Sequence, residues 1–535
     1  MTTVNLQCRA AHWLWKTSAR GSARRFRDAL RDCRNAQRRY LMGLLRKNRN
    51  TLYGRRHSFG KIASVEEFQR SVPLTGYEDY GPYIDRISAG EKNVLTDDGV
   101  LLFEPSSGST SAQKLIPYTR SLRGEFQSAI SPWMYSLYAE YPKVAGGRTY
   151  WSISPPRQMI PSDSRHGSIR VGFDTDAEYL GRLGRWVHER LAVVPVGVEK
   201  LREMRDFRNA TLAALLAAPD LSLISVWSPS FLTLLLDWYL EHTEEVLDTV
   251  RRTYPTVDKH RLAHISSLNR NPSIFRRLWP GLAVISCWTD AASEPEAQRL
   301  RELFPDTMIQ GKGLLATEAC VSLPFARGHD PVLAVRSHFF EFIGDDGDCL
   351  AAHQVDVGRE YSVVVTTGGG LYRYRLEDRV LVTGFLDTTP TLKFLGKGDQ
   401  VCDLCGEKLN SQHVQHILDD ILCGIGRRFC MLAPDRRDGR PCYTLYVDCE
   451  GQLPTDLPDR LNDGLSKNPH YRLCVDLGQL QPARIFLISG GGLLAYESRL
   501  VAEGMRPGDV KPACLSKIDG WSRCFEGEYL TEVTT

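Results

Sequence analysis

Between Val100 and Ile309 short apolar runs alternate with longer helical patterns, and this alternation limits the fold more than any other feature of the chain. Leu101–Phe103, Val171–Phe173, Leu223–Trp227, Ala283–Cys287 and Thr307–Ile309 read as strands, while Ser121–Leu137 and Glu294–Phe304 read as helices. Such alternation is the mark of an α/β layer architecture. After about Val332 the texture changes. Val335–Ile343, Tyr361–Thr367, Arg379–Phe385 and Thr391–Leu395 are short strands with turn signals between them, an antiparallel, β-barrel-like part closing the large domain. Gly396–Asn410 is a compact hinge, and the remainder alternates helix and strand over a length sufficient for its own core. The predicted fold is α/β: a large N-terminal domain over 1–395, with mixed sheets, hinged through 396–410 to a small α+β C-terminal domain over 411–535.

Composition removes several classes. Apolar residues make up 42% and charged residues 24% of the 535, which excludes a disordered, collagenous or coiled-coil chain. The net charge of +3 hides an asymmetry, because residues 1–56 hold 15 basic and only 2 acidic side chains. Phe26, Leu30, Cys33, Leu41, Leu44 and Leu45 recur near helical spacing there, with Arg24, Arg27, Arg31, Arg34 and Arg38 mostly opposite. One docked amphipathic helix with a solvated basic face is expected, and no nucleic-acid partner. The longest apolar tract, Leu221–Leu240, is broken by serines, Pro229 and Asp237, so no membrane span is expected. It reads as a strand followed by a helix starting near Ser228–Ser230. Fourteen dispersed cysteines and the lack of a secretory signal point to reduced thiols and a cytoplasmic protein. Cys402 and Cys405 form a lone CxxC with His413 and His416 nearby; without a second pair, zinc is set aside.

Three stretches carry chemistry. Phe103–Tyr118 reads FEPSSGSTSAQKLIPY, in which Ser106, Ser107, Gly108, Ser109, Thr110 and Ser111 form a small-residue loop followed by Lys114. It is not a Walker A loop, yet converging N–H groups, hydroxyls and a Lys suit phosphate oxygens. Gly311–Glu318 (GKGLLATE) ends an apolar approach in Thr317–Glu318, and a carboxylate beside a phosphate loop suits Mg²⁺. Gly368–Val380 (GGGLYRYRLEDRV) sets Tyr372 and Tyr374 against Arg373 and Arg375 on opposite strand faces, with Asp378 able to accept from a ribose diol. Singly, each could equally be a polar loop, a surface carboxylate or a half-exposed strand with cross-strand ion pairs.

Taken in this order and followed by Gly396–Asn410 (GKGDQVCDLCGEKLN), the three resemble the Gretchen Hagen-type (auxin-responsive) acyl acid–amido synthetase family, its bacterial members in particular, among the acyl-adenylate-forming enzymes. The resemblance runs from YEDYGPYIDRI (Tyr77–Ile87) through HFFEF (His338–Phe342) to VKP at Val510–Pro512. It implies a ligase that uses ATP to turn a carboxylic acid into acyl-AMP and then transfers the acyl group to an amine, typically an amino acid. The alternative keeps adenylation but passes the acyl group to a thiol of coenzyme A or a carrier protein; a third reading is a non-enzymatic binding protein on the same fold. Carried over by position, Ser106 to Ser111 hold phosphates, Thr317 and Glu318 meet the α-phosphate and Mg²⁺, Phe339 packs near the nucleotide and Asp378 binds the ribose. Lys408 and Lys511 approach the phosphates, and Trp227, Ser228 and Phe231 line the acyl pocket, with Trp133 able to join them. The enzyme is expected to work as a monomer. The third motif in the family more often reads YRxGD, whereas Glu377 here stands in place of that glycine. A positive φ at this position would strain Glu377.

Overall fold

The computed structural model describes residues 6–105, 114–152, 165–172, 181–197, 201, 203–267, 275–397, 401–402, 404, 407, 409–476, 479–505, 508 and 510–530. The chain divides into two compact units, Met1–Phe394 and Leu395–Thr535.

In the large unit four strands, Arg148–Trp151, Leu221–Ser225, Val284–Cys287 and Met308–Gly311, lie side by side in chain order and are all parallel. Leu221–Ser225 is buried at every position, as a central parallel strand covered on both faces should be. Pro229–Glu241 follows it with Pro229 in the first turn, where a missing N–H costs nothing. Leu221–Ser225, Val284–Cys287, Met308–Gly311 and the helix Glu294–Leu303 match the expected positions within a residue or two, whereas the strand Arg148–Trp151 was not expected and Val171, expected in a strand, makes only an isolated bridge to Phe103.

A second, seven-stranded sheet follows the texture change. Its order is Cys349–Ala351, Phe339–Ile343, Glu360–Thr366, Tyr374–Leu386, Thr389–Lys397, Val332–Leu333 and Ser322–Leu323. The expected strands at Val335 and Arg379 begin elsewhere. Residues 335–338 form a turn, closed by Ser337 N–H donating to the Ala334 carbonyl, and one 13-residue strand starts already at Tyr374. A separate hairpin pairs Val100–Pro105 with Leu115–Thr119.

The basic N-terminal stretch is two helices, Leu6–Leu30 and Cys33–Asn48, where one was expected. Asp32 breaks them by capping the second through Asn35 N–H. The face assignment holds: Phe26, Leu30, Cys33, Leu41, Leu44 and Leu45 are buried, and the five arginines opposite are exposed. Pro82 sits in the first turn of Gly81–Ser88, where proline is tolerated. Among the described residues no helix is long and apolar enough to cross a membrane.

The small unit is built on the strand order Gly426–Arg437, Arg440–Glu450, Arg484–Ile488 and Gly527–Tyr529. Asp438 and Gly439, both at positive φ, close its first hairpin in the way an Asp-Gly pair favours. Helices Ser411–Ile421 and Leu457–Leu465 pack on this sheet through Val414, Leu418, Leu457 and Leu461.

Candidate active site

The end of the parallel sheet feeds directly into Glu318. After Gly311 the chain folds back on itself: Val321 N–H donates to the Leu314 carbonyl, Leu314 N–H to Ser322 Oγ, and Ala316 N–H to the Ala319 carbonyl. Gly313 makes this possible, since at its φ of +74° a Cβ would stand 2.6 Å from the Ser322 carbonyl oxygen. Thr317 and Glu318 therefore occupy the tip of a tight hairpin, and Glu318 is only 8% exposed.

Two tyrosines register the charge of Glu318. Burial raises the hydroxyl pKa of Tyr77, and Asp85 and Glu318 add to the rise; for Tyr374 burial comes first and Glu318 next. The Tyr77 hydroxyl accepts the Leu115 N–H at 2.6 Å, and Lys114 Nζ lies 5.9 Å from the Tyr77 ring centroid. Leu115 also pairs with Pro105 across the hairpin. Pro105 and Leu115, on either side of the Ser/Thr/Gly loop in the chain, thus pair beside a tyrosine whose pKa Glu318 helps to raise. Ser106, Ser107, Gly108, Ser109, Thr110 and Ser111 themselves lie outside the described residues, as does Lys408.

Behind Glu318 a buried relay ties two motifs together. His338 Nε2 accepts the Cys320 N–H at 3.1 Å, so the ring carries its proton on Nδ1 and donates it to Glu125 at 3.0 Å. Glu125 also accepts the Gly368 N–H and the Tyr40 hydroxyl. A Cβ at Gly368 would come within 2.3 Å of Glu125 Oε1, which accounts for the first glycine of the GGG turn. Glu125 and His338 were not singled out by their chemistry, because a helical Glu and a strand-flanking His give no sequence sign of meeting.

The third motif departs from simple strand alternation. Tyr372, Arg373 and Tyr374 are all buried and only Arg375 is exposed. Thr75 inserts here: its N–H donates to the Arg373 carbonyl and its carbonyl accepts the Arg375 N–H, while Arg373 takes φ +48°. Tyr372 stacks on Tyr53 and Tyr374 packs edge-on against Tyr80, so neither ring presents a face for a base. Arg373 turns inward onto Glu341 at 3.0 Å, with both side chains at most 6% exposed. Burial alone would lower the Arg373 pKa, but Glu341 and the Cys349 thiol raise it above the ordinary arginine range. Three residues later the ladder slips between Ser362 and Val364, and Glu377 in this bulge has φ +61°. The position does require the left-handed region that glycine favours, so Glu377 carries backbone strain immediately before the buried Asp378.

The remaining candidates are spread more widely. Phe339 is in the core, edge-on to Phe68. Ser228 is fully buried against Ser230, and Phe231 packs on Phe207 inside the unit. Of the three acyl-pocket residues only Trp227 stands half-buried at the carboxyl edge of the parallel sheet, beside Trp288. Lys511 is an exposed residue of the small unit whose carbonyl accepts the Tyr496 hydroxyl. Every described cysteine is a free thiol; burial pushes Cys320 and Cys287 up to about 12, which keeps them protonated and unreactive.

The architecture is that of an acyl acid amido synthetase. AtGH3.15 acyl acid amido synthetase in complex with 2,4-DB superposes with a TM-score of 0.80 at 17% identity, over 96% of this chain and 97% of that one. The GH3 family N-terminal domain matches residues 22–309 and the GH3 family central domain residues 331–397. The chain belongs to the GH3 family. It is similar to indole-3-acetic acid-amido synthetase GH3.10 of Arabidopsis thaliana, 25% identical over 66% of this chain and 68% of that protein. It is also similar to jasmonoyl–L-amino acid synthetase JAR6 of Nicotiana attenuata, 22% identical over 73% of each.

Proposed function

We propose that the protein is an ATP-dependent acyl acid–amido synthetase whose nucleotide lies between the Ser-rich loop, Glu318 and Asp378. A carboxylate oxygen of the acid attacks the α-phosphorus and pyrophosphate leaves. The nitrogen of an amine, an amino acid in the relatives whose names specify one, then attacks the acyl carbon, loses a proton, and AMP departs. The observation that carries this reading is the environment of Glu318: a buried carboxylate at a hairpin tip that adds to the raised pKa of both Tyr77, which holds the flank of the loop, and Tyr374, four residues before Asp378.

Each residue has a role in this scheme. Ser106 to Ser111, with Lys114, hold phosphate oxygens through N–H groups and hydroxyls, and Thr317 adds a hydroxyl at the α-phosphate. Asp378 accepts from the ribose diol, and Phe339 backs the nucleotide site from the core. Lys408 and Lys511 supply compact positive charge to the phosphates during the first step. In such reactions a protein mainly positions groups and stabilises spreading negative charge. Among the described residues no three His, Cys, Asp or Glu side chains stand close enough to hold a metal ion. The single buried carboxylate of Glu318 fits Mg²⁺, which is commonly bound through one or two carboxylates plus phosphates and water; Glu318 would hold it and it would neutralise phosphate charge.

Glu318→Gln tests the assignment. Acid-dependent exchange of pyrophosphate into ATP should fall by roughly 100-fold or more, the scale for losing one key electrostatic group, with the thermal melt unchanged. Wild-type exchange in that variant would remove Glu318 from the site.

A further inference from the structure

The four parallel strands end side by side, and at their carboxyl ends Trp151, Ser225 and Trp227, joined by Trp133 from the helix Arg120–Glu140, form a cage around one lysine. Lys312 Nζ lies 5.1 Å from the ring of Trp133, 5.3 Å from Trp227 and 5.9 Å from Trp151. It donates to Ser225 Oγ at 2.7 Å, with Ser286 Oγ at 3.4 Å. The indoles are held from behind: Trp133 Nε1 donates to Gln310, Trp151 stacks on Trp15, and Trp227 leans on Trp288. Lys312 and all three cage tryptophans are only half-buried, so this is a lined opening and not sealed core. The carboxyl edge of a parallel sheet is also where α/β proteins place their ligands.

A cation in such an opening discriminates between ligands. An apolar acid entering among the indoles strips water from the ammonium and returns nothing, whereas an acid bearing an oxygen acceptor replaces that water with a charge-assisted hydrogen bond. Lys312 is six residues before Glu318, a chain span of at most about 20 Å even if fully extended. The hairpin sets Lys312 at its base and Glu318 at its tip, so one small acid can have its reacting carboxyl near Glu318 and its far end at Lys312. We infer that Lys312 is a specificity-determining residue of the acyl pocket, and that the acid it selects carries a second oxygen acceptor, best a carboxylate, at the end remote from the one activated. This rests on the adenylating reading for the identity of the reaction, but not for the binding preference itself.

The test uses the full chain and two size-matched pairs, terephthalate with 4-methylbenzoate and suberate with octanoate. Two readouts are taken: acid-dependent pyrophosphate release, and direct binding by quenching of tryptophan fluorescence. Wild-type protein should favour the diacid in at least one pair by about 10-fold or more, the scale of one charge-assisted hydrogen bond. Lys312→Met should erase that preference by weakening the diacid and strengthening the apolar partner, with the KM for ATP unchanged. Lys312→Arg should keep it, and Lys312→Gln reads the same loss should the Met variant not fold. Preference for the apolar member in both pairs, an equal drop for both members in Lys312→Met, or no quenching by any of the four acids overturns the proposal. Quenching that follows the predicted preference without pyrophosphate release from any acid would instead refute adenylation and leave the role of Lys312 standing.

Discussion

Around Glu318 charged groups are sealed and tied to partners, whereas at the carboxyl edge of the parallel sheet Lys312 and its indoles remain half-open to water. The first region resembles a clamp. Glu125, His338, Glu341 and Arg373 are buried and hydrogen-bonded to one another or to backbone, and they fix the hairpin tip and the GGG turn as one body. The second is built of aromatic faces with one cation, and its packing comes from the surrounding helices. The contrast teaches where rigidity and where choice reside in a two-substrate enzyme. Nucleotide chemistry common to a family needs donors fixed to within a fraction of an ångström. An acid that differs between family members needs only a surface that rewards one shape and one charge over another.

Breaking the clamp should have the largest effect. Arg373→Met leaves Glu341 as an unpaired buried charge and is expected to cost about 3–5 kcal/mol in urea unfolding. A loss below about 1 kcal/mol would show that the ion pair is dispensable to this region. Relieving its strain should act in the opposite direction. Glu377→Gly removes the Cβ clash at φ +61° and should stabilise the unit by about 1 kcal/mol, while Glu377→Val should destabilise it. Equal melting of the two variants would contradict the backbone account.

The sheet-edge region offers the smallest and most selective probe. His12, on the helix that carries Trp15 to Trp151, accepts the Tyr138 hydroxyl through Nδ1 and donates through Nε2 to the Gly147 carbonyl. Burial lowers its pKa, outweighing the Gly147 bond, so the fold favours the neutral ring. The contribution is therefore complete above about pH 6.5, the unfolded value, and is lost as pH falls below it toward the folded pKa. Urea midpoints measured between pH 7.5 and 5.5 should drop more for wild-type protein than for His12→Gln. Parallel drops would exclude His12 as the cause.

Much of this was legible in the sequence, for definable reasons. Three of the four parallel strands and the helices after them announced themselves because buried strands are continuous apolar runs, whereas Arg148–Trp151, with two half-buried ends, carried no such run. The family was legible because the motifs, taken in order, resemble those of the GH3 family, whose N-terminal and central domains match the chain. Glu377 was read correctly as a residue in a glycine's place, and the structure gives it the positive φ that such a place demands. What failed were local rules overridden by distant partners. Tyr372 and Arg373 did not alternate because Thr75, almost 300 residues away in sequence, pairs with their backbone. Two helices replaced one because Asp32 caps a new start where apolar spacing alone runs on. Phe231 and Ser228 were grouped with Trp227 by resemblance to the family, and unlike Trp227 both are buried. Lys312 carried no signal at all, since a lysine between two glycines reads as a loop residue until two strand ends and the helix Arg120–Glu140 bring tryptophans around it.

The most direct test of amide formation is product analysis with ATP, the acid panel above and the twenty amino acids, each run with and without coenzyme A. Amide, AMP and pyrophosphate appearing in equal amounts for at least one acid and amino acid is the predicted result. Thioester in place of amide, or ATP left intact with every combination, would contradict it.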